Sequence, residues 1–401
     1  MIINTGLLPR FISSLLKNQK TNFSTLNLGT TGGIIAWLEK MWNRRVHHII
    51  CIQHINELPT KRLMKTLDGA TVSANKYSGP IGKLLSEAEN LELDENFVPI
   101  PCDGFPEIPE DVLREFNKDQ KFLYKIAQII VSGKIPDNFA LYKIADLNHA
   151  RWTTGNSRLM KVYISKKKLD PENTEILKTL VKYIIQVYLP VFFQIRSSKS
   201  WLDAPHIYLN LLQRLRKQSP EVQSILAKSI QLGAYCLNEE TLLLTMLQDP
   251  DEELRRFAIR TIEDIRSKDG NPNVGNDKMR KKETPKINFN ATSFKDVIDW
   301  KGKRKLYEPV LTCHLSTEEL RMFHSKPYEL PSSCMWPCHT QAVERAVREV
   351  SILSQQASTK FRVDGLLQSR RAAREVLPEN NMRADLARMI ELRYAYKRPG
   401  V

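Results

Sequence analysis

Apolar residues recur at helical spacing through the middle of the chain. Three stripes follow the pattern of one buried helix face: Ile176, Leu177, Leu180, Val181, Ile184 and Ile185; Leu209, Leu211, Leu212 and Leu215; and Val222, Ile225, Leu226 and Ile230. Such stripes are typical of amphipathic helices. The pattern predicts an α-helical domain over residues 110–268. The segment LLLTMLQDPDEELRRFAIRTI at 242–262 resembles one HEAT-type helix pair, but no repeat of fixed period accompanies it.

The beginning of the chain mixes helix and strand signals. A Thr-Thr-Gly-Gly turn at residues 30–33 precedes a helical pattern at 34–42 and a β-branched run at 46–52 that is short enough for a buried strand. These elements predict an α/β unit over residues 1–66. Residues 67–109 are rich in Gly, Pro, Asp and Glu, so we expect an irregular, exposed connection there.

The last third of the chain divides by polarity. Residues 269–286 are almost free of apolar side chains and contain a basic run, which predicts a linker. Residues 287–355 begin irregularly and become helical near residue 340, and residues 356–401 form a basic helical tail. The expected fold class is α+β and mostly α: a partial α/β core interrupted by a large helical insertion.

Composition points to an anionic partner in a reducing compartment. The 401 residues, enough for two or three domains, carry 60 Lys and Arg against 45 Asp and Glu, a formal net charge of +15. Six cysteines without a regular framework are unlike a disulfide-stapled secreted domain. The longest apolar stretch, 183–195, is interrupted by polar residues and proline, so we predict no membrane span.

A Cys-x-x-H motif carries the most specific candidate chemistry. Cys51 and His54 stand where the predicted strand ends and a helix begins. A zinc ion would need further ligands from Cys334, Cys338 or His339. The alternative is a buried cysteine beside a core histidine.

These residues, taken in order, resemble the hAT superfamily of cut-and-paste DNA transposases. The segment NFSTLNLGTTGGIIAWLEK followed by IICIQHINEL is similar to the family's Asp turn, helix and C-x-x-H strand end. HARWTTGNSRLMKVYI, with Arg151 and Trp152, resembles the motif that begins the family's helical insertion. PCHTQAVERAVREV, with Glu344, resembles the helix that carries the last catalytic acid.

The resemblance implies an RNase H-like core that is catalytically incomplete. Such transposases hold two divalent ions, Mg²⁺ or Mn²⁺, with three carboxylates that activate water against a phosphodiester. Asn22, an amide, stands near the expected second Asp, and no carboxylate matches the first. Only Glu344 keeps a catalytic position, and a first-turn Glu that meets the helix dipole is its alternative role. The resemblance also implies DNA as a partner, self-association and a nuclear location.

Basic clusters are the candidate nucleic-acid contacts. They are Lys166, Lys167 and Lys168; Lys281 and Lys282; and Arg370 and Arg371. Lysine and arginine on helices neutralise phosphates without reading a sequence. The run containing Lys281 and Lys282 also suits nuclear import. Mitochondrial targeting is the second location, because no acidic residue precedes Glu39.

Two other functions remain open at this point. The helical domain could serve a non-enzymatic scaffold that binds other proteins. Alternatively, an active nuclease could recruit carboxylates from Asp68, Asp103 or Asp146. The sequence favours a transposase-derived nucleic-acid-binding protein without nuclease activity.

Overall fold

The computed structural model describes residues 52–73, 76–145, 147, 152–198, 200–233, 237–268, 285–302 and 306–331. These residues are mostly helical, as the apolar stripes predict. The helices are α1 (Ile52–Leu67), α2 (Pro80–Leu84), α3 (Glu110–Glu115), α4 (Lys118–Ser132), α5 (Trp152–Tyr163), α6 (Pro171–Tyr183), α7 (Leu189–Ser197), α8 (Asp203–Arg216), α9 (Pro220–Gly233), α10 (Glu239–Leu247), α11 (Glu252–Ser267), α12 (Phe294–Val297) and α13 (Thr317–Arg321).

Shorter elements connect these helices. A π-helical turn at Ile184–Tyr188 joins α6 to α7 without a break. Short 3₁₀ turns lie at Ala88–Asn90, Asp137–Leu141, Val310–Thr312 and Met322–His324. Strands β1 (Thr71–Ser73) and β2 (Lys76–Tyr77) pair antiparallel, with Thr71 opposite Tyr77.

Local sequence explains where several helices begin and end. Asn117 precedes α4 and accepts a hydrogen bond from the Gln120 amide, while the Gln120 side chain accepts from the Asn117 amide. This reciprocal pair satisfies donors that have no partner inside the helix. Gly133 follows α4 with φ of 71°, a left-handed conformation that glycine adopts without steric cost.

The run α6, π turn and α7 forms the centre of the core. Large side chains along it, Tyr183, Tyr188, Phe192 and Phe193, are fully buried. Phe193 stacks on Phe116 and meets Tyr124 edge to face, with ring centroids 5.9 Å and 5.1 Å away. Such pairs add to the free energy gained by burying the rings.

The central run also bears on the prediction that the chain has no membrane span. Helical structure continues over Pro171–Ser197, which by length and composition alone could cross a bilayer. Its most apolar window is 72% buried inside the structure. Most of this window is therefore covered by other parts of the described chain.

Helix α1 packs along α9 at a close approach. A β-carbon on Gly233 would lie 2.8 Å from Ile55 Cγ2, closer than carbon atoms approach without displacement. One hydrophobic core includes residues from α1 through to Tyr328.

The pair α10 and α11 matches the helix pair expected at 242–262. All nine residues of α10 are buried. Buried Arg255 on α11 donates to the carbonyl oxygens of Asp249, Pro250, Phe323 and His324. This side chain therefore ties the turn between α10 and α11 to the 3₁₀ turn at Met322–His324.

Two sequence-based expectations need correction. Residues 67–109 are largely irregular, as expected, but they are not exposed throughout, because Ile81, Leu85, Phe97 and Ile100 are buried in the core. Ile52, expected at the end of a strand, is the first residue of α1. The RNase H-like core and the division into six segments stay predictions, and most of that core falls outside the described residues.

Candidate functional site

Most of the residues predicted from motifs fall outside the described part of the chain. They are Asn22, Cys51, Asp146, Arg151, Lys281, Lys282, Cys334, Cys338, His339, Glu344, Arg370 and Arg371. The expected approach of the Cys51 strand end to the Glu344 helix therefore stays a prediction.

His54 and Trp152 are the described members of the two motifs. His54 lies on α1 with 61% of its side chain exposed, and its Nδ1 is 4.0 Å from Glu57 Oε2. Trp152 begins α5 and is buried. Within the described residues no three His, Cys, Asp or Glu side chains group closely enough to hold a metal ion. The zinc and magnesium sites stay predictions.

The lysine run at 166–168 is exposed but faces acidic residues. Lys166 Nζ lies 2.5 Å from Glu92 Oε1, and the Lys166 amide donates to the Glu92 carbonyl oxygen. The pKa of Lys166 is raised, first by the hydrogen bond to Glu92 and also by the charges of Asp94 and Glu95. These carboxylates offset the positive potential that a phosphate would meet at this run.

Asp68 is more than a turn residue. Its carboxylate accepts hydrogen bonds from the Ile81 and Gly82 amides at 2.8 Å and 2.9 Å, at the beginning of α2. These are the backbone donors that a phosphate would use in a glycine-rich loop. Burial nevertheless raises the pKa of Asp68 above its ordinary value. The SGPIG segment is therefore occupied by the chain's own carboxylate.

A groove beside the π turn brings together residues that the motifs did not indicate. It encloses about 400 Å³ and is lined by Cys102, Asp103, Lys182, Gln186, Arg214 and Lys217, with Pro101, Asn210, Gln213 and Gln218 completing it. A second cavity of about 220 Å³ shares Asn210 and Arg214 with it. Arg214 thus lies between two depressions of the surface.

Pro190 explains the form of this groove. It has no amide hydrogen, so one backbone donor is missing for the carbonyl groups of the preceding turn. The Ile185 carbonyl oxygen accepts from the Cys102 thiol at 3.3 Å, and the Gln186 carbonyl oxygen accepts from Arg214 Nη1 at 3.1 Å. The π turn thereby joins the segment 101–104 to α8.

Arg214 is held in place by its hydrogen bonds. Besides Gln186 it donates to the carbonyl oxygens of Asp103 and Gly104 and to Asn210 Oδ1. All of these acceptors are uncharged groups, and in the described part of the chain no carboxylate pairs with Arg214. Its positive charge is therefore fixed in position and not neutralised by an ion pair.

The other charges in the groove are mostly positive. Lys182 and Lys217 are exposed and line it together with Arg214, while Asp103 is the acidic residue of the lining. Burial raises the pKa of the Cys102 thiol, although Arg214 and Lys217 oppose this effect. The thiol is thus held in its neutral form.

Sequence reasoning missed this groove although two signals were available. One is the proline inside the apolar stretch 183–195, and the other is the basic cluster at the end of α8. Neither signal shows that residues 101–104 fold against them.

No family model, curated protein or solved structure matches this chain. The resemblance to hAT transposases stays a prediction from the sequence motifs.

Proposed function

We propose that this chain is a transposase-derived nucleic-acid-binding protein that contacts phosphate groups through the groove beside the π turn. The observation that carries the proposal is the groove lining of three cationic side chains, Lys182, Arg214 and Lys217, against one carboxylate, Asp103. The net charge of +15 and the order of the hAT-like motifs support the same partner.

The two kinds of cation in the groove have complementary roles. The fixed guanidinium of Arg214 provides a constant positive potential, since its hydrogen bonds leave it little freedom to move. Lys182 and Lys217 are compact charges on flexible stems that can follow a phosphate backbone. Amide side chains of Gln186, Asn210 and Gln213 add neutral hydrogen-bonding groups to the lining. Such a surface binds phosphate and sugar rather than base edges, and its affinity falls with salt.

The proposal includes the absence of nuclease activity. Asn22 would replace a carboxylate with a neutral amide at the second metal position, and Glu344 would remain as the one catalytic acid. Two divalent ions are not held by one carboxylate, because their charge needs several acidic ligands. A nuclear location and self-association follow from the transposase resemblance and belong to the same proposal, with an RNase H-like core as its structural basis.

Fluorescence anisotropy with a labelled mixed-sequence DNA duplex tests this function. The full chain should bind at low salt, lose affinity steeply as salt rises, and leave the duplex uncut when Mg²⁺ or Mn²⁺ is added. Lys182→Glu with Lys217→Glu should weaken binding at least tenfold, because the groove then repels phosphate.

A matched control separates the groove from overall charge. Lys121→Glu with Lys125→Glu makes the same charge change on exposed positions of α4 that do not line the groove. Equal losses of affinity in the two double variants would contradict a role for the groove. No binding at low salt would favour the helical scaffold instead, and metal-dependent cleavage would show an active nuclease.

A further inference from the structure

The second cavity adjoins the groove beside the π turn. It encloses about 220 Å³, against about 400 Å³ for the groove, and both are lined by Asn210 and Arg214. The two cavities are therefore neighbours on one surface, with the guanidinium group of Arg214 at their boundary.

The segment 101–108 lines both cavities and is bound to Arg214 where they meet. Its first residues line the groove, and its residues from Gly104 onward line the second cavity. Arg214 donates to the carbonyl oxygens of Asp103 and Gly104 at 3.5 Å and 3.2 Å. Gly104 has φ of 61°, and a β-carbon there would lie 3.7 Å from Arg214 Nη2. The segment thus turns directly against the guanidinium group, and this contact fixes the two cavities relative to each other.

The second cavity differs from the groove in charge. Arg214 is its one cationic side chain among the lining residues that the structure describes, and Glu107 carries the opposite charge. Pro106, Ile108 and Pro190 form apolar parts of the lining. A phosphate is repelled by Glu107 and favoured among the three cations of the groove. A neutral base, in contrast, can pack on the prolines and donate an amino hydrogen to the carboxylate.

Side-chain amides hold a fixed arrangement beside this boundary. Asn210 accepts from Arg214 Nε at 3.1 Å and donates to Gln194 Oε1 at 2.7 Å. Gln194 itself lines the second cavity. Amide side chains pair with the edges of bases, and groups that are already held in place lose less entropy on binding. The boundary between the cavities therefore suits a ligand with both a phosphate and a base.

We propose that the two cavities together bind an unpaired segment of a DNA strand, with a phosphate in the groove and an adjacent base in the second cavity. This inference rests on the proposed function, since it requires phosphates in the groove. In a single strand, phosphates alternate with bases that are free to turn outward. A duplex can bring its phosphates to the groove, but it must unpair and unstack a base before that base can enter the second cavity.

Fluorescence anisotropy of the full chain with three labelled probes of equal length tests the inference. The probes are a mixed-sequence single strand, the same strand in a duplex, and an abasic sugar–phosphate strand, all at about 0.15 M salt, which screens distant charges. The single strand should bind at least about tenfold more tightly than the duplex, because the duplex pays for unpairing. The abasic strand keeps the phosphates but has no base, so it should also bind at least about tenfold more weakly.

A variant that fills the second cavity locates the base. Ser197 is exposed at the end of α7 and lines this cavity. Ser197→Leu should lower the affinity for the single strand to that for the abasic strand and leave binding of the other two probes unchanged. Ser132 is exposed at the end of α4 and lines neither cavity. Ser132→Leu should therefore change binding of none of the three probes.

Three outcomes would overturn the inference: equal affinities for the single strand and the abasic strand, a duplex affinity as high as that of the single strand, or a single-strand preference that persists in Ser197→Leu. The proposed function stands in each case if Lys182→Glu with Lys217→Glu weakens binding of the duplex. If that double variant binds all three probes as the wild type does, the proposed function itself has failed.

Discussion

Single side chains in this protein gain their roles from burial and from carbonyl groups far away in sequence. Arg214 and Arg255 both donate to backbone oxygens of other segments. Arginine suits this task because its planar guanidinium presents several donors in a fixed geometry. Asp68 has the converse role, since its carboxylate satisfies two backbone amides.

Substitution of Arg214 by lysine should distinguish what the shape of the guanidinium group contributes to stability from what its charge contributes. Arg214→Lys keeps the charge but cannot reach all of the acceptors, so the free energy of unfolding should fall by about 1 to 3 kcal/mol. Arg216, two residues later on α8, is exposed and donates to the Asn290 carbonyl oxygen, so Arg216→Lys should cost less than about 1 kcal/mol. Urea unfolding measures the free energy of unfolding of both variants. Equal losses in the two variants would contradict a special role for Arg214.

At the scale of elements, apolar spacing and end signals predict the helices well. The stripes on α6, α8 and α9 lie in helices as expected, because burial of one face requires that period. Residues 67–109 could not be predicted in the same way. Their buried side chains are spaced irregularly, and their packing depends on helices that follow later in the chain.

The cap of α4 gives a direct test of this element-level account. Asn117→Ala removes the acceptor for the Gln120 amide, so the free energy of unfolding should fall by about 1 kcal/mol. Asn117→Asp keeps an acceptor and should cost much less. Thermal or urea unfolding of the two variants measures the difference. A loss as large in Asn117→Asp as in Asn117→Ala would show that the cap is not responsible.

The candidate site was less predictable than the helices. Composition indicated an anionic partner, but the groove forms only when residues 101–104 meet the π turn and α8. Glu57 lies three residues after His54, and its raised pKa could not be predicted because it depends on burial in the folded chain. Sequence reasoning chose the lysine run at 166–168, and could not foresee that Glu92 pairs with Lys166.

At the scale of the whole molecule, the proposed function requires that phosphates bind in the groove beside the π turn rather than anywhere on a positively charged surface. Each phosphate contact with duplex DNA adds about 0.9 to the slope of log affinity against log salt concentration. The number of contacts made by a pair of lysines can therefore be read from the slope.

The most direct measurement is that slope for the wild type and for Lys182→Ala with Lys217→Ala. We predict that the double variant reduces the slope by about 2 and weakens binding at every salt concentration. Lys167→Ala with Lys168→Ala, in the run that faces Glu92, Asp94 and Glu95, should reduce it less. An unchanged slope in the groove variant, or a larger reduction in the lysine-run variant, would contradict the account.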